Sequence, residues 1–487
     1  MLSFLVFLPV LGALACLILP REQERNARVV ALLFAVAGLV GALVMFTGFD
    51  PTDASLQFVE RRTWIDADGL IVEYMLGVDG LSATMMLLTG FLFLVAVLIS
   101  WRVELRPREY FAWLLLLETA VMGVFAAQDL IIFFLFWELE LIPMFFLISI
   151  WGTGRKEYSA MKFVLFTISG SALMLAGFLI LAFSAEPATF DMVKLQQSEL
   201  SDVLLPLPAI FFLIFAGFAI KMPIVPLHTW LPDAHTDAPT AVSVILAGVL
   251  LKMGGYGMLR ILVGIMPATA QDFAVWMASI AAISILYGAL LTLRQTDLKR
   301  LIAYSSVSHM GYVLLGIAAL GQVGMTGATL QMFSHGVITG LLFVMVGMIY
   351  DRAHTRDINE LSGLAHVTPV LATAMVMAGL ASLGLPAMSG FAAEMTVFLG
   401  TLGRFEAPTI LGVIGIVLTA GYILWMLRRV FFGPENPRWA DLPDATSWWE
   451  QVPIAAMLAV ILAVGIYPAR IVDVIDQGIA PIASRLL

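Results

Sequence analysis

The chain has 487 residues, of which 61% are hydrophobic and only 13% charged, with a mean hydropathy of +0.96. Soluble domains carry about 25% charged residues, so this composition excludes a water-soluble enzyme and predicts an all-α polytopic membrane protein. The single cysteine, Cys16, excludes a disulfide framework and a cysteine-ligated iron–sulfur cluster, and a net charge of −9 argues against nucleic acid as the main partner.

Taken in chain order, the sequence predicts about fourteen transmembrane helices. They centre near residues 11, 38, 91, 118, 140, 173, 217, 249, 282, 309, 338, 385, 418 and 460. The first has no basic residues before it and runs into further spans, so it reads as a helix rather than a cleaved signal. Residues 49–80 form one sizeable acidic outer loop, in which Trp64-Ile65-Asp66 and Leu70-Ile71-Val72, split by Asp68-Gly69, suit a small hairpin. Lys and Arg concentrate in the loops after the first, third, fifth, ninth, eleventh and thirteenth spans, including Arg102, Arg155, Lys156, Lys299, Arg300, Arg356 and Arg429. The positive-inside rule then places both termini on the non-cytoplasmic side. Three regions are expected: 1–107 with the first three helices, 108–432 as a translocating core, and 433–487 with the last span.

Ionisable residues inside apolar spans carry the functional signal, because each costs about 2.5–3.5 kcal/mol at the bilayer centre and needs a partner or water. Glu118 lies in LLLLETAVMG, Glu138 and Glu140 in FLFWELELIPM, Lys221 in FAIKMPIVPLHTWLP, Lys252 in GVLLKMGGYG and Glu394 in GLPAMSGFAAEMTVF. Two helical positions differ by about 200°, so Glu138 and Glu140 are expected to point apart, with Glu138 paired to Lys221. Glu118 and Glu140 are expected nearer span ends or facing a neighbouring subunit.

Polar stripes extend the set. Ser305, Ser308, His309 and Tyr312 fall on one face of the tenth span, and Gln331, His335 and Thr339 repeat every four residues on the eleventh. Such stripes point into a bundle or a wet channel. A buried histidine can relay a proton. Of the remaining histidines, His228 is expected to be functional, whereas His235, His354 and His366 read as loop or interface residues. The seventh and twelfth spans look broken, with Pro223 and Pro226 after Lys221, and Gly384, Pro386 and Gly390 before Glu394. Broken helices let a midplane charge sit beside polarised helix ends, a device of secondary transporters. Near-equal offsets from Lys221 to Glu394 and from Glu138 to His309 suggest two inverted five-helix repeats, spans 4–8 and 9–13.

Several segments together resemble one family. They are LGVDGLS at 76–82, FWELELIPM, KMPIVPLHTWLPDAHTDAPTAVSVILAG at 221–248, LKMGGYG at 251–257, DLKRLIAYSSVSHMG at 297–311 and SHGVITGLLF at 334–343. The chain resembles the antiporter-like membrane subunits of respiratory complex I, NADH:quinone oxidoreductase, which are related to Mrp-type sodium/proton antiporter subunits. The resemblance implies a translocase subunit whose FMN, iron–sulfur clusters, NADH and quinone sit in partner subunits, with no cofactor of its own. It implies neighbouring antiporter-like chains, the lateral helix of chain L/5 and membrane lipid as partners, in a bacterial plasma membrane. By the same resemblance Glu138 and Lys221 match an ion pair of the fifth and seventh spans, Lys252 a central lysine, His309 and His335 a relay, Glu394 a terminal acid and Glu118 an acid linked to a neighbour. Glu394 stands where sister and Mrp chains usually carry lysine. A subunit of an Mrp-type antiporter, or of a ferredoxin-, F420- or hydrogenase-linked relative, is the alternative expectation.

Overall fold

Apolar runs of this length become helices because a bilayer leaves backbone N–H and C=O groups no partner but each other. The structure, a computed structural model, describes residues 1–67, 70–201 and 204–486. Among them, 11 helices are long and apolar enough to cross a membrane, and three shorter apolar helices, Leu2–Ile18, Leu207–Lys221 and Pro369–Ser382, accompany them. The outer loop folds into an antiparallel pair of strands, β1 (Gln57–Ala67) and β2 (Leu70–Val78), with Ile65 opposite Val72 and Asp66 opposite Ile71. This hairpin is longer than the sequence suggested, and its expected Asp68-Gly69 turn lies outside the described residues.

Burial sorts the helices. The apolar windows of Thr240–Val263 and Gln322–Ala353 are 100% buried and that of Leu298–Ala318 is 94% buried, against 28% for the helix ending at Thr47. Those three central helices carry Lys252, His335 and His309. The peripheral ones expose leucine and valine, as surfaces facing lipid or another chain do.

Both interrupted spans are broken where the prolines and glycines stand. Leu207–Lys221 ends at Lys221, and a short helix, Trp230–Asp237, resumes after residues 222–229. Pro223 and Pro226 have no N–H to continue the ladder. The backbone groups left over are satisfied locally: the Trp230 indole donates to the Ile220 carbonyl at 2.9 Å, and the Ser284 hydroxyl accepts from Val225 N–H at 3.1 Å. Pro369–Ser382 likewise gives way to Ser389–Thr401 across 383–388. Gly384 there adopts φ +77°, and a Cβ on it would stand 2.7 Å from the Glu394 carboxylate, so both backbone and space call for glycine.

A third interruption was not foreseen. The fifth apolar stretch is two helices, Leu130–Leu139 and Leu141–Trp151, meeting at Glu140. Pro143 cannot donate to the Leu139 carbonyl four residues back, and the helix bends there. Two π-helical segments, Leu246–Leu250 and Met258–Val263, also flank the short α-helix Leu251–Gly257 that bears Lys252. Such widened turns are frequent at functional sites.

The amphipathic C-terminal helix Ala469–Ser484 packs along Gly80–Ile99. Gln477 accepts from Gly80 N–H at 2.7 Å and donates to the Asp53 carbonyl at 2.6 Å, and a Cβ on Gly80 would lie 1.6 Å from the Val474 carbonyl oxygen. Overpacking of this kind costs about 1–3 kcal/mol. Gly80→Ala should therefore loosen this helix, read as faster tryptic cleavage at the exposed Arg470; cleavage at the parental rate would contradict the tight docking.

Candidate functional site: a buried chain of titratable side chains

Lys221 ends its half-helix and points its ammonium into protein, fully buried, over the rings of Trp137 at 5.5 Å and Phe163 at 5.3 Å. A cation there requires a counter-charge. The carboxylate that supplies it is Glu140, whose Oε1 accepts directly from Lys221 Nζ and which is itself fully buried. Glu138, the expected partner, is half-buried and leaves Oε1 without a hydrogen-bond partner. The two acids do point apart, as expected, but it is Glu140 that faces Lys221, while Glu138 lies on the flank where Leu135 and Ile142 are exposed. Glu140 is thus a member of the site that sequence reasoning discounted; Pro143, three residues on, was the available signal.

The larger constellation surrounds Lys252. Its Nζ, fully buried, meets the Ala247 carbonyl, which belongs to the first π-helical segment, and lies 2.8 Å from His335 Nδ1. His335 is 5.5 Å, ring centre to ring centre, from His309. His309 Nδ1 stands 3.5 Å from Glu394 Oε1 and 3.4 Å from Gln331 Nε2, and its Nε2 is 3.3 Å from Ser382 Oγ. These groups wrap a small cavity of 10 Å3 lined by His309, Gln331, His335, Thr339, Ser382 and Glu394. That volume suits about one water. His335 Nε2, Gln331 Oε1 and Glu394 Oε2 are buried there without protein partners, which gives a water the several polar contacts it needs. Lys252, His335, His309 and Glu394 therefore form one connected run, as expected, and Lys221 with Glu140 forms a separate pair.

The serine stripe does not join this run. Ser305 Oγ donates to the Ile302 carbonyl at 2.8 Å, Ser308 Oγ to Ile285 at 2.8 Å and Tyr312 to Gly412 at 2.9 Å. Ser305 thus bonds within its own helix, whereas Ser308 and Tyr312 tie it to neighbouring backbones, the ordinary use of polar residues between membrane helices. His228 sits in the 222–229 break, buried at 4% exposure, against Tyr287 at 5.4 Å, with Nδ1 unpartnered and no contact to the Lys252 run. Glu118 is fully buried within the chain, with neither carboxylate oxygen bonded and its carboxyl facing Gly38, so it does not lie at a span end facing a neighbour.

His235 corrects another expectation. It is fully buried, not a loop residue, stacks on Phe343 at 4.5 Å and 11°, and leaves both ring nitrogens unpartnered. Only the folding-back of Trp230–Asp237 after the break carries it inside. His354 and His366 are exposed.

A helical membrane bundle with broken spans and a buried run of lysine, histidine and glutamate is the pattern of antiporter-like membrane chains. Residues 127–423 match the family model described as NADH:quinone oxidoreductase/Mrp antiporter, TM, and this chain belongs to that family. It is 42% identical to NADH-quinone oxidoreductase subunit M of Rhodobacter capsulatus, across 100% of this chain and 96% of the relative. It is also 42% identical to NAD(P)H-quinone oxidoreductase chain 4 1 of Synechococcus sp. (strain JA-3-3Ab), across 100% and 93%. Among solved structures it superposes on a chain of respiratory complex I from Thermus thermophilus with bound NADH, with a TM-score of 0.90, 28% identity and full coverage of both chains. The Mrp complex from Dietzia sp. DQ12-45-1b shares the fold, with a TM-score of 0.87 at 21% identity, over 99% of this chain and 98% of that one.

Proposed function

We propose that this chain is a proton-translocating subunit of the membrane arm of an NADH:quinone oxidoreductase, of the kind called subunit M or chain 4. Electron transfer takes place in partner subunits that hold FMN, iron–sulfur clusters, NADH and quinone, and this chain holds no cofactor. The observation that carries the reading is the connected Lys252–His335–His309–Glu394 run beside a buried Lys221–Glu140 pair, in a chain similar over its whole length to such subunits. The 11 long apolar helices, the three shorter ones and the short second halves of the broken spans together make fourteen spans, arranged as two inverted five-helix repeats, spans 4–8 and 9–13. Residues 1–107, 108–432 and 433–487 are the three regions of the chain. Both termini face away from the cytoplasm across a bacterial plasma membrane, and the partners are neighbouring antiporter-like chains, the lateral helix of chain L/5 and lipid.

In this reading Glu140 holds Lys221 charged, and Glu138, half-buried on the flank that exposes Leu135 and Ile142, is the carboxylate nearer a neighbouring subunit. When the charges around Lys221 move, Lys221 releases its proton toward Lys252. From Lys252 Nζ the proton passes to His335 Nδ1, from His335 Nε2 through the cavity water to His309, and on to Glu394. It leaves on the side away from the cytoplasm. Moving one charge against 100 mV costs about 2.3 kcal/mol. A single buried lysine with or without its carboxylate spans more than that, since breaking a buried ion pair is worth about 3–5 kcal/mol. Glu118, buried against Gly38, and His228, at the break beyond Lys221, belong to the same translocation machinery.

The assembly is tested by a mild-detergent pull-down of the tagged chain. Flavin and iron–sulfur absorbance with hydrophilic dehydrogenase subunits in the eluate is the expected result. A colourless assembly of small membrane chains would replace this reading with an Mrp-type antiporter.

A further inference from the structure

One turn beyond Lys252 on the same helix stands Tyr256, and one turn further stands Arg260, in the second π-helical segment. All three are buried. A continuous string of hydrogen bonds runs from this face of the helix to the foot of the outer hairpin. Arg260 Nη2 donates to the Asp79 carboxylate on one side and to Ser82 Oγ at 3.4 Å on the other. The Ser82 and Tyr256 hydroxyls lie 3.0 Å apart, and Tyr256 donates to the Phe125 carbonyl at 3.1 Å. With the Tyr256 proton directed at Phe125, Ser82 is the donor to Tyr256. Asp79 ends the string where β2 stops, beside Gly80, which the C-terminal helix holds through Gln477. Carboxylate, hydroxyl and phenol in hydrogen-bonded sequence have the composition of a proton wire, and one member breaks it. A guanidinium has five donors, no acceptor, and does not release its proton, so no proton hops across Arg260. Its charge, 5.5 Å from the centre of the Tyr256 ring, also repels a proton approaching from either side, as arginine does in water channels.

We propose that Arg260 is an insulator that shuts Lys252 off from the outer side, so that a proton on Lys252 moves sideways to His335 and outer protons do not return through Lys252. The insulator rests on the proton-translocating reading above. A centre loaded from the cytoplasmic side keeps its gradient only while it is closed to the other side. Arg260 stands eight residues, about 12 Å, along the helix from Lys252, between that lysine and Asp79. Asp79 is the counter-charge that lets a cation stay buried there. In Arg260→Ala, water fills the vacated space, and water both accepts and donates. A hydronium ion then gives its proton to the Asp79 carboxylate, and Asp79 gives it to that water. The water protonates Ser82 as Ser82 gives its own proton to Tyr256, and Tyr256 passes its own through water to the Lys252 amine.

The test uses the purified intact complex in liposomes of phosphatidylethanolamine and phosphatidylglycerol, without NADH, with an imposed pH gradient followed by an entrapped dye. Arg260→Ala should dissipate the gradient at least threefold faster than the parent complex. Adding Lys252→Met should return the decay to the parental rate, because the leak runs through that amine. A merely loosened bundle would leak with or without Lys252. Arg260→His offers Asp79 a counter-charge yet can accept and release a proton, so it should leak as well. Should Arg260→Ala not assemble, Arg260→His carries the test with the same Lys252→Met control. Parental decay in the assembled variant would overturn the insulator, as would fast decay that persists with Lys252→Met. Normal NADH-driven pumping by Lys221→Ala in the same liposomes would sink the translocating reading itself. Tight Arg260→Ala liposomes beside a pump stopped by Lys221→Ala would sink the insulator alone.

Discussion

Lys221→Ala is expected to abolish NADH-driven proton pumping, by at least tenfold, in a complex that still assembles. The alanine leaves Glu140 buried without its cation, and a lone buried carboxylate takes up a proton rather than stay charged. That keeps the structural cost below the functional one. Lys221→Arg separates two meanings of the pair. Arginine preserves the charge opposite Glu140 but does not release its proton, so a relay fails with arginine and a structural clamp survives it. Pumping by Lys221→Arg near the parental level would reduce Lys221 to a clamp. On the acid side, Glu140→Gln removes the carboxylate that touches Lys221 and should destabilise the assembled complex by about 3–5 kcal/mol, read as a lower thermal midpoint. Glu138→Gln should leave that midpoint nearly unchanged, because Glu138 touches no cation among the described residues; its effect should fall on pumping. Equal stability loss in the two variants would contradict the observed pairing.

Glu394→Gln is expected to stop pumping to a comparable extent with assembly intact. Glutamine keeps the shape and can still fill the space beside Gly384, but it cannot take a proton from His309 or pass one on. Glu394 Oε2 has no protein partner, so the substitution breaks no structural bond there. Retained pumping in Glu394→Gln would mean that the proton leaves the run before the twelfth span, at His309 or earlier. Because Lys252, His335, His309 and Glu394 act in series, combining Glu394→Gln with Lys252→Met should give no further loss, unlike two independent lesions.

Much of this molecule was legible before any coordinates. Composition and hydropathy determined that the chain is a helical membrane bundle, because a bilayer admits only structures that satisfy their own backbone. The cost of charge in lipid singled out Lys221, Lys252 and Glu394, and proline and glycine chemistry located both breaks. The four-residue repeat of Gln331, His335 and Thr339 identified a face that does line the cavity. What the sequence did not decide is direction at the broken places. Ideal-helix angles put Glu138 and Glu140 on opposite faces, as the structure has them, but could not say which of the two faces meets Lys221. His235 read as a loop residue because nothing in its local pattern shows that the segment after the break folds back into the core. Serines 305 and 308 matched a channel stripe by period alone, yet Ser305 turns back onto the Ile302 carbonyl of its own helix and Ser308 is taken by the Ile285 carbonyl that a neighbouring helix brings into reach. The sequence by itself determined which charges had to be buried together; the tertiary structure decided which of them touch, because pairing depends on where broken helices re-aim their side chains.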